Sequence, residues 1–168
     1  VKLYEMGFHD VNNIKMNLNG AGMSHTQRIW LKYFDDLNSL IPREEVGKIG
    51  GEIKKVIERK YKNTVKVVIA GSYRTGKKFS HDVDILLVYD NKNIKNKSIN
   101  FEEVVNYLRK ENLIKETLDE GEGQASVLMR LFKKMRQVDL RWVSKEQEPF
   151  YLLFFGSGME FSRYIRGE

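Results

Sequence analysis

The stretch Gly71-Ser72-Tyr73-Arg74-Thr75-Gly76-Lys77-Lys78-Phe79-Ser80-His81-Asp82-Val83-Asp84-Ile85-Leu86-Leu87-Val88-Tyr89 decides the fold. It starts where the β-branched run Val65-Lys66-Val67-Val68-Ile69 gives out and ends in a second apolar run. The reading is therefore a buried strand, a tight turn closed by Gly71, a short basic connection and a second strand from Asp82 to Tyr89. Side chains alternate across a sheet, so Asp82 and Asp84 point to one face. Carboxylates this close repel each other, and a hard divalent cation taking oxygen ligands relieves the repulsion directly. A polar strand end whose acids face water is the simpler alternative, and the acid pair by itself does not decide between the two. Gly71 and Ser72 tilt the choice. Glycine lets the backbone approach a phosphate, while a neighbouring amide and the Ser72 hydroxyl can donate to its oxygens. A third acid, Asp139 in Gln137-Val138-Asp139-Leu140-Arg141, lies on a later strand with Val138 and Leu140 directed to the core. An acid in such a strand is costly unless a metal or partner holds it. Three carboxylates around a phosphate-binding turn suit in-line phosphoryl transfer assisted by two metal ions.

Outward from this stretch, the first sixty residues read as helical and the next eighty as strands with one helix between them, which predicts an α+β protein with a small helical subdomain leading into it. Ser24-His25-Thr26-Gln27 forms a capping box ahead of Ile29, Trp30, Tyr33 and Phe34. A second helix is expected from a first-turn proline, Pro42, to about Tyr61, with Val46, Ile49, Ile53, Val56 and Ile57 as its core face. Asn100 and Glu103 make another capping-box candidate ahead of a helix from Phe101 to Lys110. Strands are expected at Ile114 to Leu118, Ala125 to Phe132 and Gln137 to Val143, completing a five-stranded mixed sheet with helices on one side. A helix from Pro149 to Phe155 meets Gly156-Ser157-Gly158 before another begins at Met159. Asn91 to Asn100 reads as a surface loop.

The 168 residues, 41% of them hydrophobic, suffice for one core or two small ones. The chain has no cysteine, hence no disulfide or thiolate metal site, and no apolar run long enough to cross a bilayer. An intracellular protein without a membrane partner is expected. Val1 without a charged-then-apolar leader is expected to be a cut or processing point. A net charge of +6 suits a phosphate-rich partner. Lys54, Lys55, Arg59, Lys60 and Lys62, however, fit an ordinary solvated helix face equally well.

Gly71-Ser72-Tyr73-Arg74 followed by Asp82-Val83-Asp84 resembles the nucleotidyltransferase signature of the DNA polymerase beta superfamily. Ser24 to Phe34 with Ile41-Pro42-Arg43-Glu44-Glu45 is similar to the DNA-binding segment of family X polymerases, Val138-Asp139-Leu140-Arg141 to the strand of their third aspartate, and Leu153-Phe154-Phe155-Gly156-Ser157-Gly158 with Phe161 and Arg166 to the start of their nucleotide-selecting subdomain. The resemblance implies a polymerase palm at residues 42–148, a partial helical DNA-binding subdomain at 1–41, and the start of a nucleotide-selecting subdomain at 149–168. It implies that Asp82, Asp84 and Asp139 are the catalytic metal ligands for two Mg2+ ions, with Mn2+ as a substitute. Gly71, Ser72, Arg74, Phe154, Phe155 and Gly156 would bind the nucleotide, and Arg28, Lys32, Arg141 and Arg166 the DNA. The implied activity is addition of deoxynucleotides to a primer 3′-hydroxyl on primer/template or gapped DNA, in gap filling or repair. The protein would be a monomer, nuclear if eukaryotic, and the 168 residues alone a weak or inactive polymerase.

Several positions depart from the pattern. Thr75 and Leu40 stand where phosphate-gripping arginines are common, with Lys77 or Lys78 as possible compensation, and His81 replaces a glycine. Gln137 stands where an arginine touching the primer is common, although Arg136 is adjacent, and Phe-Gly-Ser-Gly replaces Phe-Thr-Gly-Ser. Two other readings remain at this level: a nucleotidyltransferase acting on RNA ends or small molecules, and a non-catalytic DNA-binding palm remnant.

Overall fold

A computed structural model describes residues 9–16, 22–91 and 99–156. After α1 (Val11–Met16), α2 spans His25–Lys32 and α3 Phe34–Leu37. The Ser24 capping box is complete, the side chain of Ser24 accepting from the Gln27 amide and that of Gln27 accepting from the Ser24 amide. Next come β1 (Ile41–Pro42), α4 (Arg43–Tyr61) and β2 (Val65–Ile69). Pro42 is not in the first turn of α4 but is its extended N-cap, with ψ 144°. Its strand conformation lets β1 pair with β3 (Phe79–Ser80), a two-residue ladder too short to leave a sequence pattern.

The remaining elements are α5 (Gly71–Arg74), β4 (Val83–Tyr89), α6 (Phe101–Lys110), β5 (Ile114–Gly121), β6 (Gln124–Met129), β7 (Arg136–Ser144) and α7 (Glu148–Gly156). Only half of the expected Asn100 box forms. The Asn100 side chain accepts from the Glu103 amide, but the Glu103 carboxylate turns to Lys60 and Tyr61. β6 stops at Met129, short of the expected Phe132, because the chain leaves the ladder to turn into β7.

The sheet has the order β2-β4-β7-β6-β5 and is mixed, β4 and β7 running parallel and the other neighbours antiparallel. Ile49, Ile53 and Ile57 of α4 and Val104, Val105 and Leu108 of α6 pack on Ile85, Leu87, Val127, Val138 and Leu140. Burying an aliphatic side chain as fully as Ile53 or Ile57 stabilises a fold by about 1.5–3 kcal/mol. The expectation of helices on one side needs correction. The opposite face is covered at both flanks, by α2 and α3 through Ile29 and Leu37 on Leu118, Leu128 and Met135, and by α7 through Tyr151, Leu152 and Phe155 on Leu86, Val88 and Val143. Between these flanks lies the strip of sheet at the start of β4 and β7.

Candidate active site

The three predicted acids meet on that strip. Asp84 and Asp139 are register partners in the parallel β4–β7 ladder, which places their backbones about 4.8 Å apart. Asp82 immediately precedes β4. Val83, Val138 and Leu140, the alternating neighbours, are completely buried. The hydrophobic period on one face thereby directs the acids to the other.

Gly71 is fitted to this geometry. It has φ +55°, and a Cβ there would lie 1.8 Å from Asp84 Oδ2. Only a glycine lets the turn close against the carboxylate. The turn is a single helical turn, α5, tied to β4 by the Ala70 amide donating to the Asp84 carbonyl at 2.9 Å. Ser72 is half-buried on it.

The acids influence one another. Burial first, and then the negative charges of Asp82 and Asp139, raise the Asp84 carboxyl to about 7 against the opposing charge of Arg141. Burial and then Asp139 push Asp82 upward as well, against a lowering by His81. Asp139 accepts from Ser126 Oγ at 2.6 Å and from Gln137 Nε2 at 3.1 Å, both on Oδ1. Among the described residues no three His, Cys, Asp or Glu side chains are drawn into a ready-made metal cage. The donor set nonetheless suits a hard divalent cation. Three oxygen donors share one sheet face, and two of them are held in the neutral direction by burial and mutual repulsion that such a charge would relieve. Among the described residues, wider surface hollows lie elsewhere; one of about 590 Å³ runs along the edge of β2 past Lys62, Lys66 and Lys145. A small hollow of about 60 Å³ beside Asp139 is lined by Asp119, Gln124, Ser126 and Arg141. Carboxylate chemistry, not volume, marks the site.

The other predicted residues divide. Arg74 Nη1 points to the Leu152 carbonyl at 3.3 Å, and a Cβ at Gly156 would meet the same atom at 2.8 Å, so Arg74 joins the Gly-Ser turn to α7. Phe155 packs into the cluster beneath α7, and Phe154 lies edge-on to it at 5.2 Å. The Thr75 hydroxyl turns back to the Ser72 carbonyl at 3.2 Å. Arg28 is exposed on α2, Lys32 reaches Glu116 at 3.5 Å, and Arg141 donates to Gln124. Arg166, Phe161, Ser157 and Gly158 lie outside the described residues.

One side chain escaped the sequence reading, and another, Arg136, is engaged elsewhere than its neighbourhood suggested. Ser126 sits opposite Asp139 in the β6–β7 ladder, and alternation with Ala125 and Val127 could have placed it on the correct face, but not beside that acid. Arg136 is not available to a primer: it is 5% exposed, paired twice with Glu45 at 2.8 and 2.9 Å and bonded to the Ser39 carbonyl and hydroxyl.

Comparison with known proteins converges on the same region. The family model described as DNA polymerase beta palm matches residues 40–145, which include Gly71, Ser72 and all three aspartates. DNA polymerase lambda of Arabidopsis thaliana is 32% identical over 128 residues, 72% of this chain and 23% of that protein. DNA nucleotidylexotransferase of Xenopus laevis is 33% identical over 86 residues, 51% of this chain and 17% of that protein. DNA polymerase lambda of Rattus norvegicus is 26% identical across 97% of this chain, again only 29% of the relative. The chain thus spans less than a third of these curated relatives. Leishmania infantum polymerase beta, solved as a ternary gap complex, shares the fold with a TM-score of 0.86 at 22% identity, over 96% of this chain and 57% of that one. This chain belongs to the DNA polymerase beta palm family, that is, to the family X DNA polymerases.

Proposed function

We propose that this chain is the catalytic palm, with adjoining segments, of an enzyme that adds deoxynucleotides to a primer 3′-hydroxyl in gap filling or DNA repair. The observation that carries the reading is the wedge of Asp84 against Gly71 beside Asp139, which brings the Gly71-Ser72 turn and three carboxylates to one end of the sheet. Asp82, Asp84 and Asp139 are the residues that would hold two Mg2+ ions. When bound, such ions lower the pKa of an attacking hydroxyl and neutralise a leaving pyrophosphate.

The chain's own residues supply position and charge. Gly71 keeps the phosphate approach clear of side chains, and Ser72 offers a hydroxyl beside it. Asp139, on the strand next to Asp84, would face the primer hydroxyl. Arg141 adds positive charge on the same face, where it already acts on Asp84. The helical segment up to residue 41 is the DNA-binding part, residues 42–148 the palm, and residues 149–168 the start of the nucleotide-selecting part. Arg28 and Lys32 are the DNA contacts proposed on α2, Arg166 a further one, and Phe154, Phe155 and Gly156 the neighbours of the nucleotide sugar. The protein would act as a monomer, in the nucleus if the source is eukaryotic.

The solved relative occurs both as a ternary gap complex and as a ternary P/T complex and does not choose between those substrates, while the similarity to a nucleotidylexotransferase favours extension of a free end. The discriminating experiment gives the protein, with any flanking sequence it naturally carries, a one-nucleotide gapped duplex, a single-stranded primer and an RNA end with Mg2+ and each nucleotide set. Templated insertion into the gap is expected. Preferential extension of the RNA end, or no addition to any of the three, contradicts the proposal.

A further inference from the structure

We propose that Ser126, seconded by Gln137, is a positioning residue for Asp139: together they hold its Oδ1 atom, so that Oδ2 is the oxygen presented to the metal ion and primer hydroxyl. The inference rests on the reading of Asp139 as a metal ligand.

Both donors converge on a single oxygen, Ser126 Oγ at 2.6 Å and Gln137 Nε2 at 3.1 Å. A hydroxyl donating to a carboxylate at that distance is a short, charge-assisted bond, which fixes direction as well as distance. Neither donor hangs from a mobile segment. Ser126 is the direct cross-strand partner of Asp139, anchored by Ala125 and Val127 at 4% and 0% exposure in the core below. Gln137 lies two residues before Asp139 on the same strand and therefore on the same face. Rotation of an aspartate carboxylate about its Cβ–Cγ bond could turn either oxygen outward. Pinning Oδ1 from the β6 side leaves Oδ2 toward β4, where Asp84 stands in register.

The neutrality of the two donors matters. An arginine in place of Gln137 would hold the carboxylate but share its charge, weakening the attraction for a cation. Ser126 and Gln137 orient it and leave that charge undiminished. Partners of this kind behind a metal ligand typically contribute about 10–100-fold in metal affinity or activity.

The test follows free Mn2+ by its EPR signal during titration of wild type, Ser126→Ala, Ser126→Thr, Gln137→Ala and Asp139→Ala proteins, alongside single-turnover insertion on a one-nucleotide gap. Ser126→Ala is expected to weaken the Asp139-dependent Mn2+ site by about tenfold or more. It should also slow maximal insertion by about 10–100-fold with the nucleotide KM unchanged. Gln137→Ala should act in the same direction but less strongly. Ser126→Thr keeps the hydroxyl and should restore both readouts, which a purely structural role would not require. If Asp139→Ala loses the Mn2+ site while Ser126→Ala and Gln137→Ala bind as wild type does, the clamp is refuted and the proposed function stands. If Asp139→Ala itself binds Mn2+ like wild type, the proposed function fails and the clamp falls with it.

Discussion

At the scale of single residues, the contact between Gly71 and the Asp84 carboxylate carries two consequences. Alanine at position 71 would have to occupy the space of Asp84 Oδ2 while adopting φ +55°. Gly71→Ala should therefore destabilise the fold by more than about 1 kcal/mol, read from urea unfolding, and should displace Asp84 enough to abolish nucleotide addition. The second consequence concerns pH. Asp84 is raised to about 7, above its unfolded value, so in the absence of a divalent cation the native state holds a proton that the unfolded chain has released between about pH 4 and 7. Stability should fall as pH rises through that window and level off above it. Asp84→Asn should remove most of this slope, making the variant more stable than wild type at pH 8 by on the order of a few kcal/mol and nearly equal to it at pH 4. Melting temperatures at the two pH values without divalent cations measure this directly; an unchanged slope in the variant would show that the strain lies elsewhere. Mg2+ should raise the wild-type melting temperature at pH 8 more than that of the variant.

At the scale of elements, Arg136 joins pieces that the sequence presents as separate. It opens β7, the strand of Asp139, and binds Glu45 at the start of α4 and the Ser39 backbone just after α3. Asp36 of α3 adds a bond to the Met135 amide at 2.9 Å. The helical segment is thereby docked on the strand that carries Asp139. Removing one partner of a buried pair leaves the other charge uncompensated, so Arg136→Ala should lower stability by about 3–5 kcal/mol in equilibrium denaturation. A loss below about 1 kcal/mol would mean that water replaces the guanidinium freely. Elements set by local chemistry were legible beforehand: the Ser24 box, the helical period of Val46 to Ile57, and the alternation that puts Asp84 and Asp139 opposite a buried face. What stayed hidden depends on partners far along the chain. Nothing local distinguishes Arg136 from a DNA-facing arginine until Glu45, 91 positions away, is seen beside it. The side of the sheet that α7 covers is likewise set by Leu86, Val88 and Val143 and not by α7's own sequence, which is apolar all round.

At the scale of the whole molecule, the net charge of +6 is unevenly available. On α4, Lys54 pairs with Glu58, Lys55 with Glu52, Arg59 with Glu111 and Lys60 with Glu103. These cations are partly neutralised in place, so phosphate binding is expected to rest on other positions such as Arg28. Arg28→Glu should weaken duplex DNA binding about equally for any sequence and reduce its salt slope by about one, whereas Lys54→Glu should leave both nearly unchanged; fluorescence titrations at two ionic strengths give both numbers. The same organisation sets the acid end of the sheet between α2–α3 on one flank and α7 on the other, where the proposed function would seat a primer end and a nucleotide. The most direct test of this account is single-turnover insertion into a one-nucleotide gap by the naturally flanked protein, with and without Mg2+, for wild type and for Asp139→Ala. The account predicts Mg2+-dependent insertion by wild type and none detectable by the variant, with both binding the gapped DNA equally well. Insertion by Asp139→Ala near the wild-type rate would contradict it.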